Sequence, residues 1–261
     1  MFNYVHNGLM VAHKDNVDAD ENTTFASHMH NDFELIYFVS GEVDYTVEHN
    51  TQHLNEGDFI LIAPGKYHNA SVNSSVPYDR YVFRFPTQMV TKELYDLLIT
   101  KEPFFTGCQK IGMFATYFDL YYDKYSGTIL DTLIMGEMLK ILGLICYATS
   151  TYPLNSAGMV DEIIRYVNVN IHKPMTLDDI AAHCRVSKPI VGVEFKKAVG
   201  VTLMKYVAIK RALATTQAIA SGMRKAEAAR AFGYQDYSTF YRGYQRLKNE
   251  DYKKSIVDEL I

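Results

Sequence analysis

Three histidines and one glutamate in the first third of the chain have side chains that bind metal ions or polar ligands. His28 and His30 are two residues apart, Glu34 lies six residues after His28, and His68 follows later. Residues separated by an even number lie on one face of a strand, so the first three are expected to point together. With His68 from a neighbouring strand they would form a three-histidine, one-carboxylate metal site. They could instead hydrogen-bond an organic ligand or one another, and the sequence leaves both alternatives open.

Short strands are predicted to position these side chains. Phe33–Ser40 is continuously apolar and β-rich, and Val43–Val47 alternates apolar with polar residues. Further strands are predicted at 59–63 and 81–85, with turn residues between the segments. This spacing favours an antiparallel barrel or sandwich. The remaining histidines of this half show no ligand-like pairing and are predicted to be surface groups: His6, His13, His49 and His53.

The four ligand-type residues stand in a pattern that resembles the cupin barrel. Its first motif is matched by His28, His30, Glu34 and Gly41, and its second by Gly57, Pro64, Gly65 and His68. Asn22 and Val72 depart from the pattern, and the Gly57–Pro64 spacing is one residue longer. The resemblance covers about residues 20–86. It implies an effector pocket, and the candidate ligands of a divalent metal, at His28, His30, Glu34 and His68.

Composition excludes several classes of protein. The 261 residues are 48% hydrophobic and 21% charged, which excludes global disorder. The three cysteines are widely scattered, which excludes a disulfide framework and a CxxC zinc site and fits a reducing cytosol. No signal peptide is recognised, and charged residues interrupt the most apolar window, 129–148. We therefore expect a cytoplasmic protein without a membrane span.

The net charge of −4 conceals a division of the chain. Residues 1–157 carry nine Lys and Arg against nineteen Asp and Glu, a net charge of −10. Residues 158–261 carry 17 against 11, a net charge of +6. An acidic part followed by a basic part makes the basic part a candidate for nucleic-acid binding.

The predicted fold class is α+β with two domains. A cupin-like barrel at 1–86 precedes a helical segment at 87–150, a linker at 151–157 and an all-α domain at 158–261. Helical spacing of apolar residues is seen at 91–100, at 112–124 and most clearly at 128–147. The apolar face of this last helix could pack on the barrel or form a dimer, and both alternatives stay open.

The basic part is predicted to contain two helix-turn-helix units. Met159–Asn170 is an amphipathic helix, and Thr176 with Asp179 forms an N-terminal capping pattern. Helix, short turn and helix follow at about 177–198, and a similar layout returns at about 225–248. A helix at 203–221 separates the two. Units at a fixed separation could enter successive major grooves of B-DNA.

This arrangement resembles the AraC/XylS family of transcription regulators over about residues 159–256. The first unit matches at Leu177, Ile180, Ala181, Ser187, Phe195, Lys196, Lys197 and Gly200, and the second at Ala229, Gly233, Tyr234, Asp236, Ser238, Phe240, Arg242 and Tyr244. The first recognition helix departs from the family at Pro189, Gly192 and Val193, and Asn249 replaces a glycine near the end.

The resemblance places DNA contacts on the second helix of each unit and on Arg230. Gln235 and Arg242 have the bidentate geometry that suits adenine and guanine edges. The lysines and arginine expected at phosphates are Lys196, Lys197, Lys205 and Arg211. Asp236 is expected to be an N-cap. The predicted DNA-binding residues are Ser187, Lys188, Ile190, Val191, Glu194, Lys197, Arg230, Gln235, Tyr237, Ser238, Thr239 and Arg242.

Together these patterns predict a transcription regulator that responds to a small molecule, with no catalytic residue and no required cofactor. The expected partners are promoter or operator DNA, a sugar or related polar metabolite, a second copy of the chain, and RNA polymerase if the protein is an activator. Dimerisation is assigned to 128–149. The alternative is a metal-dependent cupin enzyme, a dioxygenase or isomerase, with a helical tail.

Overall fold

The structure is a computed structural model, and it describes residues 1–16, 27–72, 76–148 and 158–247. The chain forms two compact units, the first mainly from residues 1–153 and the second mainly from residues 154–261. The first combines antiparallel strands with helices and the described part of the second is helical, so the predicted fold class is confirmed. Within the described residues, no helix has both the length and the apolar character needed to cross a bilayer.

Two antiparallel sheets form the first unit. The larger has the strand order β1-β2-β8-β3-β6-β9 and the smaller β5-β4-β7. The strands are β1 (Phe2–His6), β2 (Leu9–Asn16), β3 (Phe33–Ser40), β4 (Val43–Val47), β5 (Asn50–His53), β6 (Phe59–Ile62), β7 (His68–Val72), β8 (Tyr78–Phe85) and β9 (Phe104–Phe105).

Strand β3 is apolar without interruption because both of its faces are buried. Phe33 and Leu35 belong to a core between the larger sheet and the helices that follow it. Ile36 and Phe38 belong to a second core, which also contains Tyr45 of β4 and therefore lies between the two sheets. Glu34 shares the parity of Ile36, so its side chain lies on the inter-sheet side.

The turn after β3 explains the glycine of the first cupin-like motif. Gly41 has φ +133°, which side chains rarely adopt. A Cβ atom there would lie 3.1 Å from the carbonyl oxygen of Pro77. The chain therefore reverses between β3 and β4 at a position that only glycine fits without strain.

Helices cover the outer face of the larger sheet. They are a 3₁₀ turn (Thr87–Met89), α1 (Lys92–Leu98), α2 (Gln109–Gly112), α3 (Tyr117–Lys124) and α4 (Gly127–Tyr147). Ile134, Met138 and Ile141 of α4 are buried in the core beneath the sheet. Of the predicted helix at 112–124, residues 117–124 form α3, whereas α2 ends at Gly112, where an added Cβ atom would lie 2.1 Å from the ring of Tyr37.

The second unit is built from α5 (Met159–Asn170), α6 (Leu177–Cys184), α7 (Lys188–Val199), α8 (Leu203–Ala220) and α9 (Lys225–Ala231), and residues 237–247 form a further helix, α10. Helix α6 begins with a capping box in which the Thr176 hydroxyl accepts a hydrogen bond from the Asp179 amide. It ends at Arg185, whose φ of +56° lies in the left-handed region. The turn and α7 follow at once, which is the helix-turn-helix arrangement.

Two small cores hold the helices of the second unit. In the first, Val191 and Phe195 of α7 are fully buried, and the Phe195 ring meets Tyr206 of α8 edge to face at 5.2 Å. In the second, Ala229 of α9 and Phe240 of α10 are buried with Ala212 of α8. Helix α8 contributes to both cores, so it fixes the separation of the two helix-turn-helix pairs.

Candidate effector site and nucleic-acid interface

The structure brings the four predicted ligand residues together. His28, His30, Glu34 and His68 each offer one ligand atom, and these atoms all lie within 4.8 Å of one another. The expectation that the first three share one strand is wrong, because β3 begins at Phe33 and both early histidines precede it. The chain bends at residues 31–32, and the Gly65 amide donates to the His30 carbonyl at 2.9 Å. This pairing brings His30 towards the turn that precedes His68.

One carboxylate oxygen is shared by two imidazoles. Oε2 of Glu34 lies 2.7 Å from Nε2 of His30 and 3.2 Å from Nε2 of His68. The Nδ1 atom of each histidine lies 3.0 Å from a backbone carbonyl oxygen, that of Asp32 for His30 and that of Lys66 for His68. A carbonyl only accepts, so each Nδ1 carries hydrogen and each Nε2 faces the carboxylate.

Burial and hydrogen bonding set the charges of this cluster. Burial lowers the pKa of His30, against the opposing effect of Glu34. Burial acts to raise the pKa of Glu34, but hydrogen bonds from His30 and then His68 bring it well below its ordinary value. The carboxylate is therefore ionised at neutral pH, and its charge is balanced inside the cluster by a proton or by a bound cation.

The donor set fits a divalent transition metal. Three imidazole nitrogens and one carboxylate oxygen are ligands that zinc and similar metals accept. Ligand atoms in a tetrahedral site are separated by about 3.4 Å, for bonds of about 2.1 Å. The ligand atoms, which lie within 4.8 Å of one another, would have to move closer by up to about 1.4 Å to bind a tetrahedral metal. The two Nδ1–carbonyl hydrogen bonds would orient the rings as outer partners do in metal sites.

Sequence reasoning missed three residues on the inter-sheet side of the same unit. Tyr45 of β4 is buried, and its ring stacks on that of His68 with centroids 6.4 Å apart. Tyr78 and Arg80 of β8 are also buried. They were missed because the predicted strand began at residue 81, whereas β8 begins at Tyr78. With the correct start, the period of two places both on the same side as Val82.

His13 is not the surface group that the sequence predicted. Its side chain is only 19% exposed and lies between two carboxylates. Nδ1 is 2.9 Å from Asp119 of α3, and Nε2 is 2.9 Å from Asp79 of β8. Tyr81 stacks on the imidazole and donates a short hydrogen bond to Asp119. The partners lie far away in sequence, so local spacing held no sign of them.

The exposed side of α7 carries most of the residues predicted to contact DNA in the first unit. Ile190 and Glu194 are exposed together with Lys197, at the spacing of one helical face, and Ser187 and Lys188 are exposed at the start of the helix. The prediction that Val191 faces outward is wrong, because Val191 is fully buried one turn before Phe195. Val193, which was not selected, is 62% exposed and lies on the outer face instead.

In the second unit, α9 and α10 present the other predicted contacts. Gln235, Ser238 and Arg242 are exposed, as is Arg230 at the end of α9, whereas Tyr237 and Thr239 are half-buried. Tyr237 packs on Phe240, with ring centroids 5.6 Å apart, so it contributes to the small core as well. The Thr239 amide donates to Oδ1 of Asp236 at 2.7 Å, which is the N-cap contact expected of Asp236.

Arg211 makes hydrogen bonds inside the second unit. It is half-buried, and its guanidinium donates to the carbonyl oxygens of Ile171 and Lys173, just after α5. These contacts hold the end of α5 against α8. Lys196, by contrast, is exposed near the end of α7. Two of the donor nitrogens of Arg211 are therefore used inside the unit, and the phosphate contact expected of Arg211 stays a prediction.

One family model is similar to part of the first unit. Residues 18–140 match the model of the AraC-like ligand binding domain. The match covers slightly less than half of the chain, and over these residues the predicted resemblance to AraC-type regulators is confirmed.

Several solved structures are similar to the chain. The apo form of a ToxT variant from Vibrio cholerae is 13% identical, with 92% of this chain and 94% of that chain covered and a TM-score of 0.44. The AraC-like transcriptional activator CuxR is 12% identical, with 84% and 80% covered and a TM-score of 0.47. A cupin protein from Bacteroides fragilis is 22% identical, with 33% and 72% covered and a TM-score of 0.29.

Proposed function

We propose that the protein is a sequence-specific DNA-binding transcription regulator whose activity responds to a small molecule bound in the first unit. The observation that carries the proposal is the pair of helix-turn-helix arrangements held by α8, in a chain whose residues 18–140 match the AraC-like ligand binding domain. In this account the protein works in the cytoplasm, where it reaches promoter or operator DNA. An activator would also contact RNA polymerase.

The DNA interface is proposed to consist of the outer faces of α7 and α10. Gln235, Ser238 and Arg242 would read base edges, because amide and guanidinium groups pair with two atoms of adenine and guanine. Lys197 on α7 and Arg230 on α9 would contact phosphates. Arg230 and Arg224 line one shallow depression on α9, which adds positive charge beside the reading helix.

The test compares Arg242→Ala with Lys197→Ala on operator and scrambled DNA. Loss of a base contact should weaken operator binding by about 1–3 kcal/mol and leave scrambled DNA little affected. Loss of a phosphate contact should weaken binding to operator and to scrambled DNA alike. It should also reduce the slope of log affinity against log salt concentration by about 1. Equal losses on both DNAs for Arg242→Ala would assign it to a phosphate, and no loss for either variant would contradict the proposed interface.

The effector site is proposed to include His28, His30, Glu34 and His68, with a polar metabolite such as a sugar as ligand. The cluster offers both a hydrogen-bond acceptor and donors in a buried setting, which suits hydroxyl groups. Effector binding changes DNA affinity only if the two DNA-binding states bind the effector differently. Whether binding activates or represses is read from transcription in the presence of effector.

Dimerisation is proposed to use the outer face of α4. On the side of α4 away from the buried Ile134, Met138 and Ile141, Ile129 is 61% exposed and Tyr147 is 92% exposed. Leu139 and Leu144 are also exposed on this face, and added Cβ atoms at Gly136 and Gly143 would meet nothing within 4 Å. A second α4 would cover this apolar surface. Leu139→Lys should shift the sedimentation of a dimer to that of a monomer, whereas an unchanged dimer would exclude this face.

A metal-dependent enzyme is the second candidate, favoured by the convergence of four ligand atoms. A bound cation would polarise an oxygen of a substrate or effector. Elemental analysis of the purified protein tests this candidate, together with turnover assays on His28→Ala and Glu34→Gln. Stoichiometric metal and turnover that both variants abolish would support an enzyme. Protein without metal, or turnover unaffected by the substitutions, would exclude it.

A further inference from the structure

Strand β8 presents a cation to the interior between the two sheets. Tyr81 and Phe83 belong to the core beneath the helices, whereas Tyr78 and Val82 belong to the core between the sheets. Because side chains alternate along a strand, Arg80 lies on the inter-sheet side between Tyr78 and Val82. The residue is only 8% exposed. An arginine is rarely buried to this extent unless a negative charge accompanies it.

The Arg80 guanidinium has no carboxylate partner within the described part of the chain, since no acidic oxygen there lies within 4.0 Å of its nitrogens. One nitrogen, Nη1, donates to the carbonyl oxygen of Tyr78 at 2.8 Å. Arg84, four residues further along the strand and on the same face, differs in both respects. Its side chain is 39% exposed, and Nε lies 3.2 Å from Asp32. Arg80 is therefore the cation whose burial is not compensated by an ion pair.

Tyr78 supplies a second donor beside the guanidinium. Its residue is 2% exposed, and among the described residues its hydroxyl has no hydrogen-bond partner. The Arg80 guanidinium carbon lies 3.9 Å from the centroid of the Tyr78 ring, so the two groups belong to one site. Burial raises the pKa of Tyr78 to about 12, so the hydroxyl keeps its proton at neutral pH. A buried hydroxyl normally finds a partner, and here the partner must be an acceptor.

We propose that Arg80 and Tyr78 form an anion subsite of the effector pocket, which takes the carboxylate or phosphate group of a small organic acid or sugar phosphate. A guanidinium fork and a phenolic hydroxyl are all donors, and an oxyanion offers the acceptors and the charge that they lack. This proposal rests on one part of the proposed function, namely that the first unit binds a small molecule. It adds a negative charge to the expected effector.

The test measures anion binding to the full chain by thermal unfolding at constant ionic strength. The probes are inorganic phosphate, acetate and glucose 6-phosphate, with acetamide and glucose as neutral counterparts. Anions should raise the unfolding midpoint of the wild-type protein more than their neutral counterparts do. The midpoint shift should be lost in Arg80→Met, fall in Tyr78→Phe and persist in Arg84→Met, the matched control on the same strand face.

The unliganded protein gives an independent readout. Because Arg80→Met removes a buried charge that no carboxylate balances, its midpoint without ligand should equal or exceed that of the wild type. A markedly lower midpoint would show that Arg80 serves the fold and would overturn the proposal. So would equal anion responses in wild type and Arg80→Met, or no response of the wild type to any anion.

Operator DNA binding, measured on the same samples, separates this proposal from the function on which it rests. Anion binding without DNA binding would leave the subsite standing and remove the regulator. DNA binding without an Arg80-dependent anion response would leave the regulator standing and remove the subsite.

Discussion

His13 of strand β2 joins helix α3 to the larger sheet, since its Nδ1 atom lies 2.9 Å from Oδ1 of Asp119. The other ring nitrogen contacts Asp79 of β8, so one imidazole connects three elements of the first unit. Removal of His13 would take the imidazole contact away from both Asp119 and Asp79.

His13→Ala is expected to lower the free energy of unfolding by about 1–2 kcal/mol, because two partly buried carboxylates would lose their contact with the imidazole. His53→Ala is the matched control, since His53 also meets carboxylates but its side chain is 51% exposed. The control should cost less than about 0.5 kcal/mol. Denaturant unfolding followed by circular dichroism measures both, and equal effects would contradict the connecting role of His13.

The positions of Val191 and Val193 on α7 predict opposite consequences of the same substitution. Val191→Ala should lower the free energy of unfolding by about 1–3 kcal/mol, because Val191 is buried against the small core. Val193→Ala should change it by less than about 0.5 kcal/mol, because that side chain is 62% exposed. On operator DNA the order should reverse, with Val193→Ala weakening binding in folded protein. Equal stability of the two variants would contradict the orientation of α7.

Arg185 ends α6 in the left-handed region, where side chains other than glycine are strained. Arg185→Gly should therefore raise the free energy of unfolding by about 0.5–1 kcal/mol. Arg185→Ala retains a Cβ atom and should leave the value within about 0.5 kcal/mol. Chemical denaturation of the full chain measures both. A glycine variant less stable than the alanine variant would show that the Arg185 side chain stabilises the turn by itself.

The capping box of α6 predicts a pH dependence. Hydrogen bonds from the Thr176 side chain, then from its backbone, lower the pKa of Asp179. A carboxylate with a lowered folded-state pKa stabilises the fold above its unfolded pKa, about 3.9, and loses this contribution as pH falls through the folded value. Asp179→Ala should thus be less stable than the wild type at neutral pH and approach it below about pH 4. In a Thr176→Ala background the difference should largely disappear, and a difference that persists there would assign it to another partner.

The sequence predicted the elements whose pattern is local. Strands β3 and β4 and helices α4, α5 and α8 were predicted to within about two residues, because their apolar periodicity is strong. Strands β1, β2, β5, β7 and β9 were missed. The residues of β7 (HNASV) contain little apolar character, and the strand exists because its ladder with β4 turns His68, Ala70 and Val72 inward. Pairing of this kind is decided by tertiary contacts that a single segment does not contain.

In the candidate site, too, the features with a local sequence pattern were predicted and those that depend on tertiary contacts were not. The ligand set of His28, His30, Glu34 and His68 was visible as a spaced motif, although the bend before β3 that brings it together was not. Arg80 and Tyr78 carry no motif, and their importance depends on burial and on the lack of an acidic partner for Arg80 among the residues that the structure describes. Likewise, Val191 and Val193 are alike in composition, and only the packing of α7 distinguishes the core residue from the exposed one.

The central claim is tested most directly by the affinity of the purified full chain for the DNA that flanks its own gene, against scrambled DNA of equal length. The account predicts tighter binding of the native fragment at every salt concentration, with affinity for both fragments falling as salt rises. Equal affinity for the two fragments, with and without the anions and sugars named above, would contradict a sequence-specific regulator.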